Sequence, residues 1–244
     1  MTGIKFKQYI FKPALIPSII TVALLYLMIS LAMWQLDRAD YKANLQSIIE
    51  SRQDLNPVPL DSAPNNQDDW LYLPVTTAGT FDTEHQFFLD NQVNNMTAGY
   101  SVFTPLKLSD NHAILVNRGW LAQGNDRNRL PDITINQYDA AINYSGLLAN
   151  PPSAGLVLSS DANSYKQWPA VLQYIDITEI QKHLDYELKP MVLVLNKVEQ
   201  TPFEILPIKV NMRSEKHTAY AFQWFALSFA LLIIYIIVNS KKQN

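Results

Sequence analysis

Apolar and polar positions are distributed very unevenly along this chain. Two uninterrupted apolar runs lie near its ends: Ala14–Leu36, with no charge between Lys12 and Asp37, and Ala219–Val238, with none between Lys216 and Lys241. Crossing hydrocarbon roughly 30 Å thick at 1.5 Å per residue takes about 20 such residues. Each run therefore predicts a transmembrane helix. The pattern divides the chain into a cytoplasmic tail at 1–13, a first span at 14–36, an extracytoplasmic domain at 37–218, a second span at 219–238 and a second cytoplasmic tail at 239–244. The expected topology is a hairpin through the bilayer, with the domain on one side and both tails on the other. Ser30-Leu31-Ala32 has the form of a signal-cleavage site, but the apolar run exceeds the roughly 7–15 residues of a signal core and continues through Met33 and Trp34.

Between the runs the period changes. After Leu36, helical spacing persists through Ala39, Lys42, Ala43, Ile48 and Ile49 until Pro57 and Pro59 stop it. The first helix should thus leave the membrane and continue for several turns, followed by a turn-rich connector. From Leu73 onward, short runs rich in Val, Thr, Phe and Tyr alternate with Asn, Asp, Gly and Pro, which predicts strands at 75–81, 86–90, 99–108, 112–121, 142–149, 171–176, 191–198 and 208–212. Ser109-Asp110-Asn111 reads as a tight hairpin. One helix is expected at 178–185 with Thr178 as its N-cap. The predicted fold is a membrane protein in which two transmembrane α-helices flank a mainly antiparallel β (α+β) soluble domain, a sheet or small barrel.

Composition sharpens this. Hydrophobic residues make up 48% of the chain, yet mean hydropathy is only −0.06, so the apolar excess sits at the ends. The net charge of −3 is interspersed, and no clustered basic face suits phosphate, so nucleic acid is not an expected partner. The chain has no cysteine, which removes disulfides, zinc–thiolate sites, CxxCH haem attachment and thiolate copper delivery. Lysine and arginine flank both sides of each span, so charge bias leaves orientation open. The short acid-free tails point to the cytoplasm and the domain to the outside.

The second span carries a pattern beyond that of an anchor. His217, Ala221, Trp224, Ser228, Leu231 and Tyr235 fall on one helical stripe with Tyr220 beside it, while Phe222, Phe225, Phe229, Ile233 and Ile236 cover the other faces. On the first span, Trp34-Gln35 is expected at the depth of Gln223-Trp224, with Arg38 and Lys42 one and two turns above. Two readings remain open. Trp, Tyr and basic residues anchor helices at membrane interfaces. The same residues also suit a haem site, with His217 Nε2 on iron, Trp34 and Trp224 against the macrocycle, and Arg38 or Lys42 near its propionates. His85, His112 and His183 lie in the domain without ligand spacing. Arg118, beside Trp120, fits either a binding contact or an aromatic stack at a barrel rim. Asp82, Glu84 and Asp90 form no acid pair, and no nucleophile motif accompanies the serines, so hydrolase chemistry has little support.

Five strings together resemble the Surfeit locus protein 1 family of cytochrome c oxidase assembly factors. They are Trp34-Gln35-Leu36-Asp37-Arg38 with Lys42; Gly79-Thr80-Phe81-Asp82; Gly99-Tyr100 with Thr104-Pro105-Leu106; Leu115 through Trp120 (LVNRGW); and Lys216 through Tyr220 with Gln223 through Leu227. Ala32 stands where the family pattern has glycine, and Asn91 or Gln92 where it has arginine. The resemblance implies a non-enzymatic, two-span protein of the inner membrane with its domain in the periplasm or the mitochondrial intermembrane space. It implies a role in maturing aa3-type haem–copper oxidase, by holding haem a and assisting its insertion into subunit I. His217 is then the haem-iron ligand, and the reading of the spans themselves adds Tyr220, Trp224, Trp34 and Arg38 around the cofactor. Expected partners are cytochrome c oxidase subunit I, haem a synthase and membrane lipid. The alternative is a cofactor-free scaffold for an oxidase intermediate, in which His217 merely caps the second helix.

Overall fold

The computed structural model describes residues 4–6, 9–64, 66–108, 111–124, 126, 129–134, 142–152, 164–196, 203–206, 208 and 213–242. In chain order the elements are β1 (Ile4–Phe6), β2 (Tyr9–Phe11), α1 (Leu15–Gln53), β3 (Val58–Pro59), α2 (Gln67–Trp70), β4 (Pro74–Phe81), β5 (Phe87–Asn94), β6 (Thr97–Lys107), β7 (His112–Ala122), β8 (Ile142–Ala149), β9 (Ala170–Leu172), α3 (Ile177–Gln181), β10 (Glu187–Leu195), α4 (Ser214–Asn239) and β11 (Ser240–Lys242). The chain divides into two compact units, Met1–Ile48 with Lys209–Asn244, and Ile49–Ile208.

The first unit holds α4, α1 up to Ile48, and a small sheet of order β1-β2-β11. Both helices are long and apolar enough to cross a membrane, and only 11% of each apolar window is buried. That value separates them from core helices of a soluble protein, whose apolar residues are covered by neighbours. Apart from Leu55, Val93 and Met96, the large apolar side chains exposed among the described residues all belong to α1 and α4. An apolar surface of that extent needs lipid around it. As the spacing anticipates, α1 runs on past Leu36 to Gln53.

The second unit is built on one eight-stranded sheet of order β3-β4-β8-β10-β7-β6-β5-β9. An additional antiparallel pairing of β4 with β6, through Thr80↔Lys107 and Phe81↔Leu106, closes β4, β8, β10, β7 and β6 into a five-stranded barrel. Each of the five strands sends apolar side chains into one cluster: Val75, Leu148, Leu193, Ile114 with Val116, and Leu106. The alternate positions of β7, Ala113 and Leu115, join a second cluster with Phe87, Leu89, Leu172 and Ile180. Strand β7 is thus covered on both faces, which is why residues 113–116 read as an unbroken apolar run rather than an alternating one.

Glycine makes the barrel seam possible. A Cβ on Gly79 would lie 2.4 Å from the Lys107 carbonyl oxygen and 2.9 Å from Leu106 Cγ, so only glycine lets β4 approach β6 where the ring closes.

Several expectations shift in detail. Three strand pairs are parallel, β7 with β10, β5 with β9 and β3 with β4. Strand β5 does not end at Asp90. It passes a register shift between Leu89 and Gln92, with Asn91 at φ 59°, and continues to Asn94, because asparagine tolerates the left-handed conformation that a bulge requires. Helix α3 is shorter than 178–185, and its cap is Asp176 rather than Thr178. The Asp176 carboxylate accepts from the backbone amides of Thr178 (2.9 Å) and Glu179 (3.1 Å). Strand β9 runs Ala170–Leu172, so it begins one residue before the expected 171–176 and ends four residues short of it. The expected strand at 208–212 lies, beyond Ile208, outside the described residues, as do Ser109 and Asp110 of the expected hairpin turn.

Candidate functional site

Helix α4 begins at Ser214, about a turn before the apolar run, because Glu215 and Lys216 are tolerated on the polar side of its first turn. Its N-cap position is Arg213, with no side-chain cap. His217 stands inside the helix, 8% exposed, and its Nδ1 is 2.7 Å from Gln35 Oε1 of α1. The ring is bonded across to the other helix, so it does not cap α4. Near the other end of the pair, Ser18 Oγ and Tyr235 Oη share a hydrogen bond. Ser18 to Gln35 and His217 to Tyr235 each cover close to five turns in opposite directions. The helices are therefore antiparallel, and the two polar ties are about 26 Å apart, near the thickness of the hydrocarbon.

The stripe read from the sequence is the covered face of α4. His217, Ala221 and Ser228 are buried and Trp224, Leu231 and Tyr235 half-buried, while Phe222, Phe225, Phe229, Ile233 and Ile236 are exposed. On α1, Thr21 and Ala32 are buried. Small residues at these positions let helix backbones approach closely, which supplies packing energy where lipid removes the hydrophobic drive.

The remaining candidate residues take distinct positions on this pair. Trp34 and Tyr220 are about half exposed, and Trp224 is half-buried. The Arg38 guanidinium lies 5.7 Å from the Tyr41 ring centroid, and the Lys42 ammonium 5.8 Å from the same ring. Tyr41 thereby holds two cations one and two turns above Gln35. One expectation is corrected. Gln35 stands level with His217 rather than with Gln223-Trp224, an axial difference of about 9 Å that places the Gln35–His217 tie near the end of the apolar segment. Among the described residues no group of three or more His, Cys, Asp or Glu side chains could hold a metal ion.

The second unit contains two buried polar knots. The first centres on Asp82, whose Oδ2 accepts from Tyr186 Oη (2.7 Å), His85 Nδ1 (2.9 Å) and Lys107 Nζ (3.1 Å), and whose Oδ1 accepts from the Glu84 amide (3.1 Å). Burial alone would raise its pKa, but the bonds from Tyr186, His85 and Lys107 prevail and hold the carboxyl at about 2. Burial and the Asp82 bond push the Tyr186 phenol up. His85 also meets the Trp168 ring edge-on at 4.7 Å. Sequence reasoning missed Asp82 as a hub, although the Gly79–Asp82 string marked it.

The second knot centres on Arg118, 5% exposed, between the rings of Phe203 (4.3 Å) and Phe81 (5.6 Å). Its Nη1 donates to Gln86 Oε1 at 2.9 Å and to the Ile133 carbonyl at 3.4 Å. Among the described residues no carboxylate pairs with it, and burial draws its pKa down to about 10. Of the two roles open for Arg118, the structure places it in the stacked one. The neighbouring Gly119 has φ 123° and packs against the Glu204 backbone, which bonds in both directions with Trp120. This explains the glycine between Arg118 and Trp120.

Comparison with known proteins gives matches along nearly the whole chain and others along a little over a third of it. The SURF1 family matches residues 22–229, from within α1 to within α4. A SURF1-like protein of Rickettsia bellii is 27% identical over 225 residues, covering 89% of this chain and 88% of the relative. The cytochrome oxidase assembly protein SHY1 of Saccharomyces cerevisiae is 30% identical over 96 residues, 38% of this chain and 25% of SHY1. Surfeit locus protein 1 of Mus musculus is 29% identical over 106 residues, 37% of this chain and 35% of the mouse protein. A match that takes in both helices and the barrel strands between them makes this chain a member of the SURF1 family.

Proposed function

We propose that this protein assists the assembly of an aa3-type cytochrome c oxidase without itself being an enzyme, by holding haem a on His217 in transit to subunit I. The assembly role draws support from family membership and from the name carried by the yeast relative SHY1. The observation that carries the haem reading is the imidazole of His217, buried on the helix pair and tied through Nδ1 to Gln35, which leaves Nε2 for another partner.

The residues present meet the chemical demands of the cargo. Haem needs a nitrogen donor for iron, flat apolar surface for the macrocycle and cations for its propionates. His217, the aromatic set Trp34, Tyr220 and Trp224, and Arg38 supply these from the two helices of one unit. Iron held by a single imidazole is held labile, as a transfer site requires. The domain sits in the periplasm (or intermembrane space), both tails in the cytoplasm (or matrix), and the barrel offers the surface that meets subunit I or haem a synthase.

The protein purified from a strain that makes haem a should show a Soret band and yield haem a on pigment extraction, and His217→Ala should abolish both. Pigment that is unchanged in His217→Ala would sink the haem reading and leave a cofactor-free scaffold. Protease or tag-accessibility mapping should find both tails on one face of the membrane.

A further inference from the structure

We infer that Gln35 is the positioning residue for His217, fixing which ring nitrogen is offered to a ligand. The inference rests on the haem reading above and goes beyond it by naming the tautomer and the residue that sets it. The Gln35 Oε1–His217 Nδ1 distance is 2.7 Å. An amide oxygen only accepts, so Nδ1 carries the proton and the lone pair resides on Nε2. Free neutral imidazole of histidine prefers the opposite tautomer, so the protein has to impose this one.

The surroundings suit that task. His217 is buried and Gln35 half-buried, so little water competes for the bond, and a hydrogen bond in such a place is stronger than one at the surface. No other hydrogen bond to the ring occurs among the described residues, so this contact is the one that selects the protonated nitrogen. The bond runs between two helices, 182 residues apart in sequence. Whatever holds α1 against α4 therefore also aims Nε2. A hydrogen bond accepted from the far nitrogen makes the ligating one a better donor, as the second shell of histidine-ligated metals generally does.

The experiment uses the full chain with [15N]histidine in detergent micelles, the His217 signals being identified by their loss in His217→Ala. At a pH where imidazoles are neutral, wild-type His217 should show a protonated Nδ1 and an unprotonated Nε2, and Gln35→Leu should shift it toward the Nε2–H form. In titrations with haem b, Gln35→Leu should weaken binding roughly 10–100-fold. Gln35→Glu, which keeps an acceptor, should bind within about threefold of wild type and raise the iron–histidine stretching frequency of the ferrous form. A wild-type His217 protonated on Nε2 overturns the inference without any variant, and so does a Gln35→Leu protein that binds haem b as tightly as wild type with an unchanged iron–histidine stretch. Haem binding that survives His217→Ala removes the haem reading instead, and the tautomer measurement still decides the role of Gln35.

Discussion

Asp82 and Tyr186 lie 104 residues apart in the chain, and the Tyr186 hydroxyl donates to Asp82 Oδ2 at 2.7 Å. The bond ties the loop after β4 to the segment before β10, with His85 and Lys107 donating to the same oxygen. Because the folded carboxyl sits at about 2 against an ordinary 3.8, the stability it contributes is complete above pH 4 and is lost as pH falls from about 4 through 2. Asp82→Asn should therefore lower stability at pH 7 by about 1–3 kcal/mol, since an amide NH2 faces donors, and should flatten the acid limb between pH 4 and 2. Chemical denaturation of the full chain across pH measures both.

Gly79 stands where β4 meets β6. Gly79→Val should cost more than about 2 kcal/mol, because its side chain meets the Lys107 carbonyl and opens the barrel at its closing pair. The midpoint of thermal unfolding, compared with an exposed control such as Thr97→Val, reads the loss.

Arg118 separates charge from shape. The arginine has no carboxylate partner among the described residues, and Thr104 Oγ1 already bonds Gln86 Oε1 at 3.2 Å. Arg118→Met keeps apolar contact with Phe81 and Phe203 and removes a desolvated cation, so it should cost under about 1 kcal/mol. Arg118→Lys keeps the charge but loses the planar stack, and it should cost about 2 kcal/mol. The order of the two urea midpoints is the test, and a lysine variant as stable as the methionine one would contradict it.

Ala32 is fully buried on α1 and Ala221 nearly so on α4. Ala32→Leu or Ala221→Leu should overfill the helix pair at a cost of about 1–3 kcal/mol, whereas Ala32→Gly should be tolerated within about 1 kcal/mol. The loss should appear as earlier unfolding in a titration of micelles with sodium dodecyl sulfate.

How much of this was legible depended on how local the signal was. The two spans follow from runs of single residues, and the covered face of α4 from its 3.6-residue period, so both could be read directly. The strands from Pro74 to Ala122 likewise follow from β-branched runs and asparagine turns. The parallel pairing of β7 with β10 could not be read, because it is decided by packing between segments more than 70 residues apart. The register of the helix pair was misjudged because α4 starts at Ser214 instead of Ala219, which moves Gln35 to His217. Asp82 showed no pairing with Glu84 or Asp90 in the sequence, and its actual partners, Lys107 and Tyr186, lie 25 and 104 residues away. Arg118 was visible as a motif, but its burial was not.

The ring order of the barrel has a consequence for how the protein is made. Strand β10, Glu187–Leu195, is inserted between β7 and β8, and without it both are left with bare edges. A ribosome adding roughly 5–20 residues per second takes about 2–8 s to pass from the end of β8 at Ala149 to the start of β10 at Glu187. Over that interval β7 and β8 each lack the neighbour that covers one edge in the finished sheet, and unpaired edges of this kind favour association with other chains.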